Sequence, residues 1–362
     1  MNVYFTHYII DLIVLAIVYF PLTIFSFKRL FNLFSLKYHK KILYLIVSIF
    51  LFLPISITLQ LKFNTGFTTV LYYLAYIIIG TMIYFVIFTI IIELTRLIFK
   101  INKKNYRSLA YIVIILTIAV SLYSYVNTLS YKEKTIVMES PKIQQDIKIV
   151  QLSDDHLFGA HSKNRFDIVY KKAISNNPDF IVITGDLFDY PGEIPIDTIN
   201  IVNDYNTPVF FIYGNHDVMV GDKIVDNLLN QTKIISLNNE TYEIDGVVLT
   251  GVKDKSTKIY LTEALSNIDI NKEKYNILLN HKPQEVDSAS SKGYDLMLSG
   301  HTHAGQIFPM DVLEYLANPY LKGLYEINGG MKLYVNQGTY IWGFKMRNFS
   351  RNEITIIKFK KE

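Results

Sequence analysis

A boundary near residue 130 constrains this chain more than any other feature. Before it lie apolar runs long enough to cross a bilayer, and after it the pattern changes to short strands, polar loops and helical stretches. At 362 residues the chain has room for two domains. Four segments, near 6–27, 42–61, 68–95 and 108–128, reach the roughly 20 residues that a membrane crossing needs. No Lys or Arg precedes the first apolar run, so that run does not read as a cleavable signal. Basic residues follow it instead, at Lys28, Arg29, Lys37, Lys40 and Lys41, and a second basic loop carries Lys100, Lys103, Lys104 and Arg107. The loop between the second and third segments has only Lys62. The positive-inside rule places the two basic loops in the cytoplasm. Four crossings then put everything after residue 130 outside it. A multi-pass protein of the cell membrane is expected.

Residues 1–131 hold 11 Lys/Arg against 2 Asp/Glu, and the remainder 25 against 30. The basic balance therefore belongs to the membrane half, and the mildly acidic second half argues against a nucleic-acid partner. The absence of cysteine excludes disulfides, thiolate ligands and a Cys nucleophile. Asp11 and Glu93 are read as helix-end residues, Glu93 beside Arg96. Pro21 and Pro54 are expected to kink helices. Tyr72, Tyr73 and Tyr76 read as helix packing or interfacial anchoring. Without a repeated proton relay or a pair of broken helices, a transporter reading has little support.

The second half carries five short polar clusters in fixed order. They are Asp154-Asp155-His156, Gly185-Asp186-Leu187-Phe188-Asp189, Gly214-Asn215-His216-Asp217, His281, and Gly300-His301-Thr302-His303. Apolar strands precede them at 147–152, 180–184, 209–213, 276–279 and 295–298, and 164–176 has a helical period. Strands alternating with helices suggest parallel pairing, with sites gathered at the strands' C-terminal edge. In extended backbone, residues two apart point to one side, which favours Asp154 over Asp155 as a partner of His156 and lets His301 and His303 share a pocket. Glycines before Asp186, Asn215 and His301 let the chain turn and approach closely. A ligand set of carboxylate, imidazole and one carboxamide suits Mn, Fe or Zn better than Ca²⁺. No phosphate-cradling Gly-x-x-x-x-Gly-Lys loop and no Gly-x-Ser-x-Gly elbow occurs.

In order and spacing these clusters resemble the calcineurin-like metallophosphoesterase superfamily, over about 150–305, with a tail similar to its membrane-bound bacterial members. The resemblance implies a two-sheet β-sandwich flanked by helices, carried by a four-helix transmembrane region. The expected layout is an anchor over 1–130, a polar connector over 131–146 and the catalytic domain over 147–362. It implies one metal on Asp154, His156, Asp186 and His303 and another on Asp186, Asn215, His281 and His301, with Asp186 bridging. His216 takes the position of a catalytic proton donor that is not a ligand. Asp189 and Asp217 are expected behind the ligands, and Asp155 is expected to face solvent. His161 reads as a rim residue or a substrate contact. Two cations about 3.5–4 Å apart activate water and clamp both oxygens of an in-line displacement.

The implied activity is metal-dependent hydrolysis of a phosphodiester or pyrophosphate, in an envelope lipid or lipid-linked substrate given the tether. Alternatives are a phosphomonoesterase or nucleotidase acting on soluble substrates, and a catalytically silent membrane sensor, whose expected mark would be an eroded ligand set. The apolar stretch 307–325 reads either as a packed loop closing the fold or as an interfacial flap at the membrane surface.

Overall fold

The computed structural model describes residue 13 and residues 15–190, 193–255 and 260–361. Asp11 and the start of the first apolar segment lie outside them. The chain forms two compact units, the first being the helical half through Asn127 together with Gly343–Asn348, the second the rest.

In the helical unit a π-helical turn, Leu15–Tyr19, runs into α1 (Phe20–Leu33), followed by α2 (Lys40–Phe63), α3 (Gly66–Ile98) and α4 (Tyr106–Val126). Among the described residues, three helical stretches, Lys40–Phe63, Gly66–Ile98 and Lys103–Val126, are long and apolar enough to cross a membrane. α1 carries Lys28 and Arg29 within its length rather than ending before them. Pro21 lies in the first turn of α1, where a missing N–H costs little, so it marks the change from π to α winding. Glu93 of α3 ion-pairs with Arg29 of α1 and lies 2.9 Å from Arg96. A buried carboxylate so paired is a structural feature of this unit. Tyr72 and Tyr76 pack 4.8 Å apart, and Tyr76 meets Phe344 of the returning segment at 5.3 Å.

The second unit contains β1 (Tyr131–Ser140), β2 (Ile147–Leu152), α5 (Ser162–Ile174), β3 (Phe180–Ile183), β4 (Val209–Phe211), α6 (Asn215–Val220), α7 (Asp222–Leu229), β5 (Ile234–Ser236), β6 (Glu240–Ile244), β7 (Val247–Val252) and α8 (Leu261–Ser266). β8 (Tyr275–Asn280), α9 (Val286–Lys292), β9 (Leu296–Ser299), α10 (Met310–Ala317), β10 (Gly323–Glu326), β11 (Lys332–Val335) and β12 (Asn352–Lys361) complete it. Two six-stranded sheets form, ordered β1-β12-β2-β3-β4-β5 and β10-β11-β9-β8-β7-β6. Alternation builds the layers. Ile149, Phe180, Val182 and Phe210 point between the sheets to meet Leu249, Ile277, Leu279 and Leu298. Their neighbours Val150, Ile181, Ile183 and Phe211 point outward onto Phe166, Val169 and Tyr170 of α5 and Val225 and Leu228 of α7. The second sheet is covered likewise by Leu261 of α8 and Ala289 of α9. Both faces of the central strands are buried, so those strands read as continuous apolar runs. The result is the two-sheet, helix-flanked class that the resemblance implies.

The stretch 131–146 is not a simple connector. Its first ten residues are β1, paired parallel with β12 along its whole length. β1 is an edge strand, so one face buries Ile136 and Met138 while the other shows charge, and the charged alternate positions conceal the strand in the sequence.

Candidate metal centre

The five clusters meet because the strands before them end together. β2, β3 and β4 are parallel neighbours in one sheet, and β8 and β9 in the other. The loops are joined directly. The Asp154 N–H donates to Gly185 O at 3.0 Å, the His156 N–H to Asp186 O at 3.0 Å, and the Gly300 N–H to His281 O at 2.9 Å.

Backbone conformation aims the side chains. Asp154, His156, Asp186, His301 and His303 have φ of 58°, 46°, 52°, 72° and 48°. Left-handed backbone at a non-glycine residue costs about 1–3 kcal/mol and persists where surrounding structure enforces it. Extended geometry therefore does not explain why Asp154 and His156 converge; two successive left-handed turns do. Gly185 has φ of 91°, and a methyl there would lie 2.6 Å from His281 Nδ1. At Gly214 a methyl would strike the Asp186 carboxylate, so only glycine admits this approach.

Three groups of potential ligand atoms each fall within 4.8 Å: Asp154, His156 and His303; His156, Asp186 and His216; and Asp186, His281 and His301. His156 Nε2 and His303 Nε2 are 2.9 Å apart, and His303 Nε2 is 3.5 Å from Asp154 Oδ1. Asp186 Oδ2 lies 3.0 Å from His281 Nε2 and 4.0 Å from His156 Nε2, between the two sides of the cluster. The buried Asn215 Oδ1 has no hydrogen-bond partner among the described residues. A buried acceptor left alone costs free energy unless something else takes it up. Such a donor set fits divalent cations.

Behind these atoms Asp189 accepts from two rings, His156 Nδ1 at 3.0 Å and His216 Nδ1 at 2.7 Å. Both imidazoles are thereby oriented with Nε2 toward the cluster. Asp217 instead binds backbone, accepting from the Phe188 N–H at 2.8 Å and the Gly214 N–H at 2.9 Å, and so ties the second loop to the third. His281 Nδ1 meets Thr184 O at 2.8 Å, which presents its Nε2 to Asp186. His161 is exposed just before α5.

Asp155 does not face solvent. It is fully buried, neither carboxylate oxygen has a hydrogen-bond partner among the described residues, and burial pushes its pKa up to about 7 against the pull of Arg165. The left-handed turns around it remove the simple alternation that would have sent it outward. Arg165 has no signature in the sequence, yet its guanidinium donates to the carbonyls of Asp155 at 2.8 Å and His156 at 2.6 Å. It also stacks 4.0 Å over the Tyr340 ring. The Tyr340 N–H donates to Asp154 O at 3.2 Å, so the chain after β11 also fixes the first cluster.

Charge among these buried side chains is strongly redistributed. Burial works against ionisation of Asp186, but His281 and His216 outweigh it and hold its carboxyl well below the usual range. Burial would lower His216; Asp189 and Asp186 prevail and raise it to about 9. His281 rises to about 10, Asp186 again overcoming burial. His301, buried and beside the charged His281, is driven well below its ordinary value. Protonated imidazoles thus neutralise the buried carboxylates when no cation does.

The calcineurin-like phosphoesterase family model matches residues 147–305. An uncharacterized metallophosphoesterase of Campylobacter jejuni is 33% identical over 255 residues, covering 68% of each chain. One from Helicobacter pylori strain J99 is 32% identical over 240 residues, covering 63% of each. A Bos taurus transmembrane protein with a metallophosphoesterase domain is 34% identical over 239 residues, 59% of this chain and 53% of its own. Membrane association is thus found in a relative's name as well as in the apolar helices here. With its cluster of carboxylates, imidazoles and one carboxamide at the strand ends, the chain belongs to the calcineurin-like metallophosphoesterases, metal-dependent hydrolases of phosphoric esters.

Proposed function

We propose that the protein is a membrane-anchored, two-metal phosphodiesterase or pyrophosphatase acting outside the cytoplasm on a lipid or lipid-linked substrate. One metal is held by Asp154, His156, Asp186 and His303, the other by Asp186, Asn215, His281 and His301, with Mn, Fe or Zn suiting the donors. The observation that carries this reading is Asp186, whose Oδ2 lies 3.0 Å from His281 Nε2 and 4.0 Å from His156 Nε2, between the two proposed ligand sets. When bound, the metals supply Lewis-acid activation of water and of the phosphoryl group. His216, oriented by the Asp189 carboxylate 2.7 Å from its Nδ1, would deliver a proton from Nε2 to the departing oxygen as the P–O bond breaks. The proton lost by the attacking water restores it.

Metal uptake by stripped protein should release protons. His281 retains its proton in the metal-free state up to about pH 10, and a ligating imidazole must lose it. Affinity should therefore weaken as pH falls from 9 to 6. Calorimetry of Zn²⁺ binding in buffers of different ionisation enthalpy should show about one proton or more released near pH 7. Heats independent of the buffer would contradict this role for His281.

The lipid reading rests on α10, which follows the last ligand loop. Val312, Leu313, Tyr315 and Leu316 are exposed, Leu316 at 75%, while Asn318 is buried and Glu314 half-buried. A packed loop would have hidden these apolar groups; α10 presents them outward, as an interfacial segment does. Each buried leucine-sized side chain contributes about 1.5–3 kcal/mol. Phe308→Asp with Leu316→Asp should therefore lower hydrolysis of a vesicle-borne diester about tenfold or more, with a soluble diester changed less than about twofold. Equal losses on both would sink the flap.

A further inference from the structure

His216 has a neighbour that the chemistry above does not use. Trp342, the chain's single tryptophan, places its ring centroid 5.7 Å from that of His216 at 63°. Its backbone is fixed by one side chain. Gln306 Oε1 accepts the Trp342 N–H at 2.9 Å, and Gln306 Nε2 donates to Trp342 O at 2.9 Å. Gln306 is buried and lies three residues beyond His303, so the turn carrying a proposed ligand also anchors the indole-bearing residue. Trp342 nevertheless remains 43% exposed. A large aromatic side chain is most often more deeply buried than this, and here it is held in place beside the proposed proton donor.

We infer that Trp342 is a specificity-determining residue that forms the wall for the leaving group. The departing oxygen must come within reach of His216 to take its proton, which brings the group attached to that oxygen against the adjacent indole. A planar or apolar leaving group gains contact there, and a small or strongly hydrated one does not. This rests on the role proposed for His216. It adds the substrate class, namely esters whose leaving group is apolar or aromatic next to the ester oxygen.

The single tryptophan supplies a readout independent of turnover. Full-length protein in detergent, supplied with Zn²⁺, would be titrated with phenylphosphonate and with methylphosphonate while indole emission is followed. Phenylphosphonate should change the emission saturably and bind about five- to tenfold more tightly. In parallel, kcat/KM would be compared for a phenyl and a methyl diester in wild type, Trp342→Ala and Trp342→Phe. The phenyl-to-methyl ratio should fall about five- to tenfold in Trp342→Ala and be largely restored in Trp342→Phe. Comparing ratios between variants cancels the intrinsic reactivity of the two esters. An unchanged ratio in Trp342→Ala, or equal emission responses to the two phosphonates, would overturn the wall while leaving hydrolysis intact. Discrimination in fluorescence without hydrolysis of either ester would overturn the proton-donor reading of His216, and with it the assignment of the indole to the leaving group, while leaving an aromatic contact at Trp342.

Discussion

Asp186→Asn is expected to abolish nearly all phosphoester hydrolysis, a loss of about a thousandfold or more. The substitution keeps the side chain's size but removes the charge between the two ligand groups. Asp186 Oδ2 is 3.0 Å from His281 Nε2 and 4.0 Å from His156 Nε2, and Oδ1 accepts the His216 N–H at 2.8 Å. With two metals held as proposed, losing the charge between them would weaken both together, and metal stabilisation of developing charge is worth several kcal/mol. The metal-free protein should respond differently. With Asp186 neutral, the protonated His281 and His216 lose their principal shared counter-charge. Their pKa values should fall from about 10 and about 9. Kinetics on a chromogenic diester and metal analysis of the purified variant check the first claim. Turnover within about tenfold of wild type at full metal content would remove Asp186 from its place as bridge.

His216→Ala should also cost heavily, about 10²–10⁴ in kcat, the usual range for a lost general acid. Its signature differs, because His216 is placed here as a proton donor and not as a ligand. Metal content should stay at the wild-type level. The loss should be larger for an alkyl ester, whose leaving oxygen needs the proton, than for a nitrophenyl ester, whose oxygen departs as the anion. Asp189 orients His216 through a 2.7 Å contact with Nδ1 and raises its pKa. Asp189→Asn should therefore show the same leaving-group dependence in weaker form. A His216→Ala enzyme that loses metal, or loses equal rate on both esters, would show that the residue acts in another way.

These expectations were legible in the sequence to an uneven degree. The five clusters could be read because each follows an apolar run, and parallel register brings the run ends to one edge; the seven ligand roles and that of His216 are what the family resemblance implies. Local geometry could not be read. Asp154, His156 and Asp186 turn through left-handed backbone, so extended alternation misplaced Asp155, which is buried with Arg165 nearby. Arg165 and Trp342 lie 10 and 126 positions from Asp155 and His216, which they contact, and neither separation leaves a periodic trace. β1 is not marked in the sequence, because an edge strand with one charged face resembles a polar linker. The stretch 307–325 showed its apolar character plainly, but only the fold reveals that the apolar side chains of α10 point outward.

The most direct measurement is a metal titration of the full-length protein in detergent. After chelation, diester hydrolysis should be lost, and it should return as Mn²⁺ or Zn²⁺ is added, saturating at two ions per chain. The diester should be favoured over the matching monoester. Activity that survives complete removal of metal, or saturation at one ion with Asp186→Asn as active as wild type, would contradict the two-metal centre at its foundation.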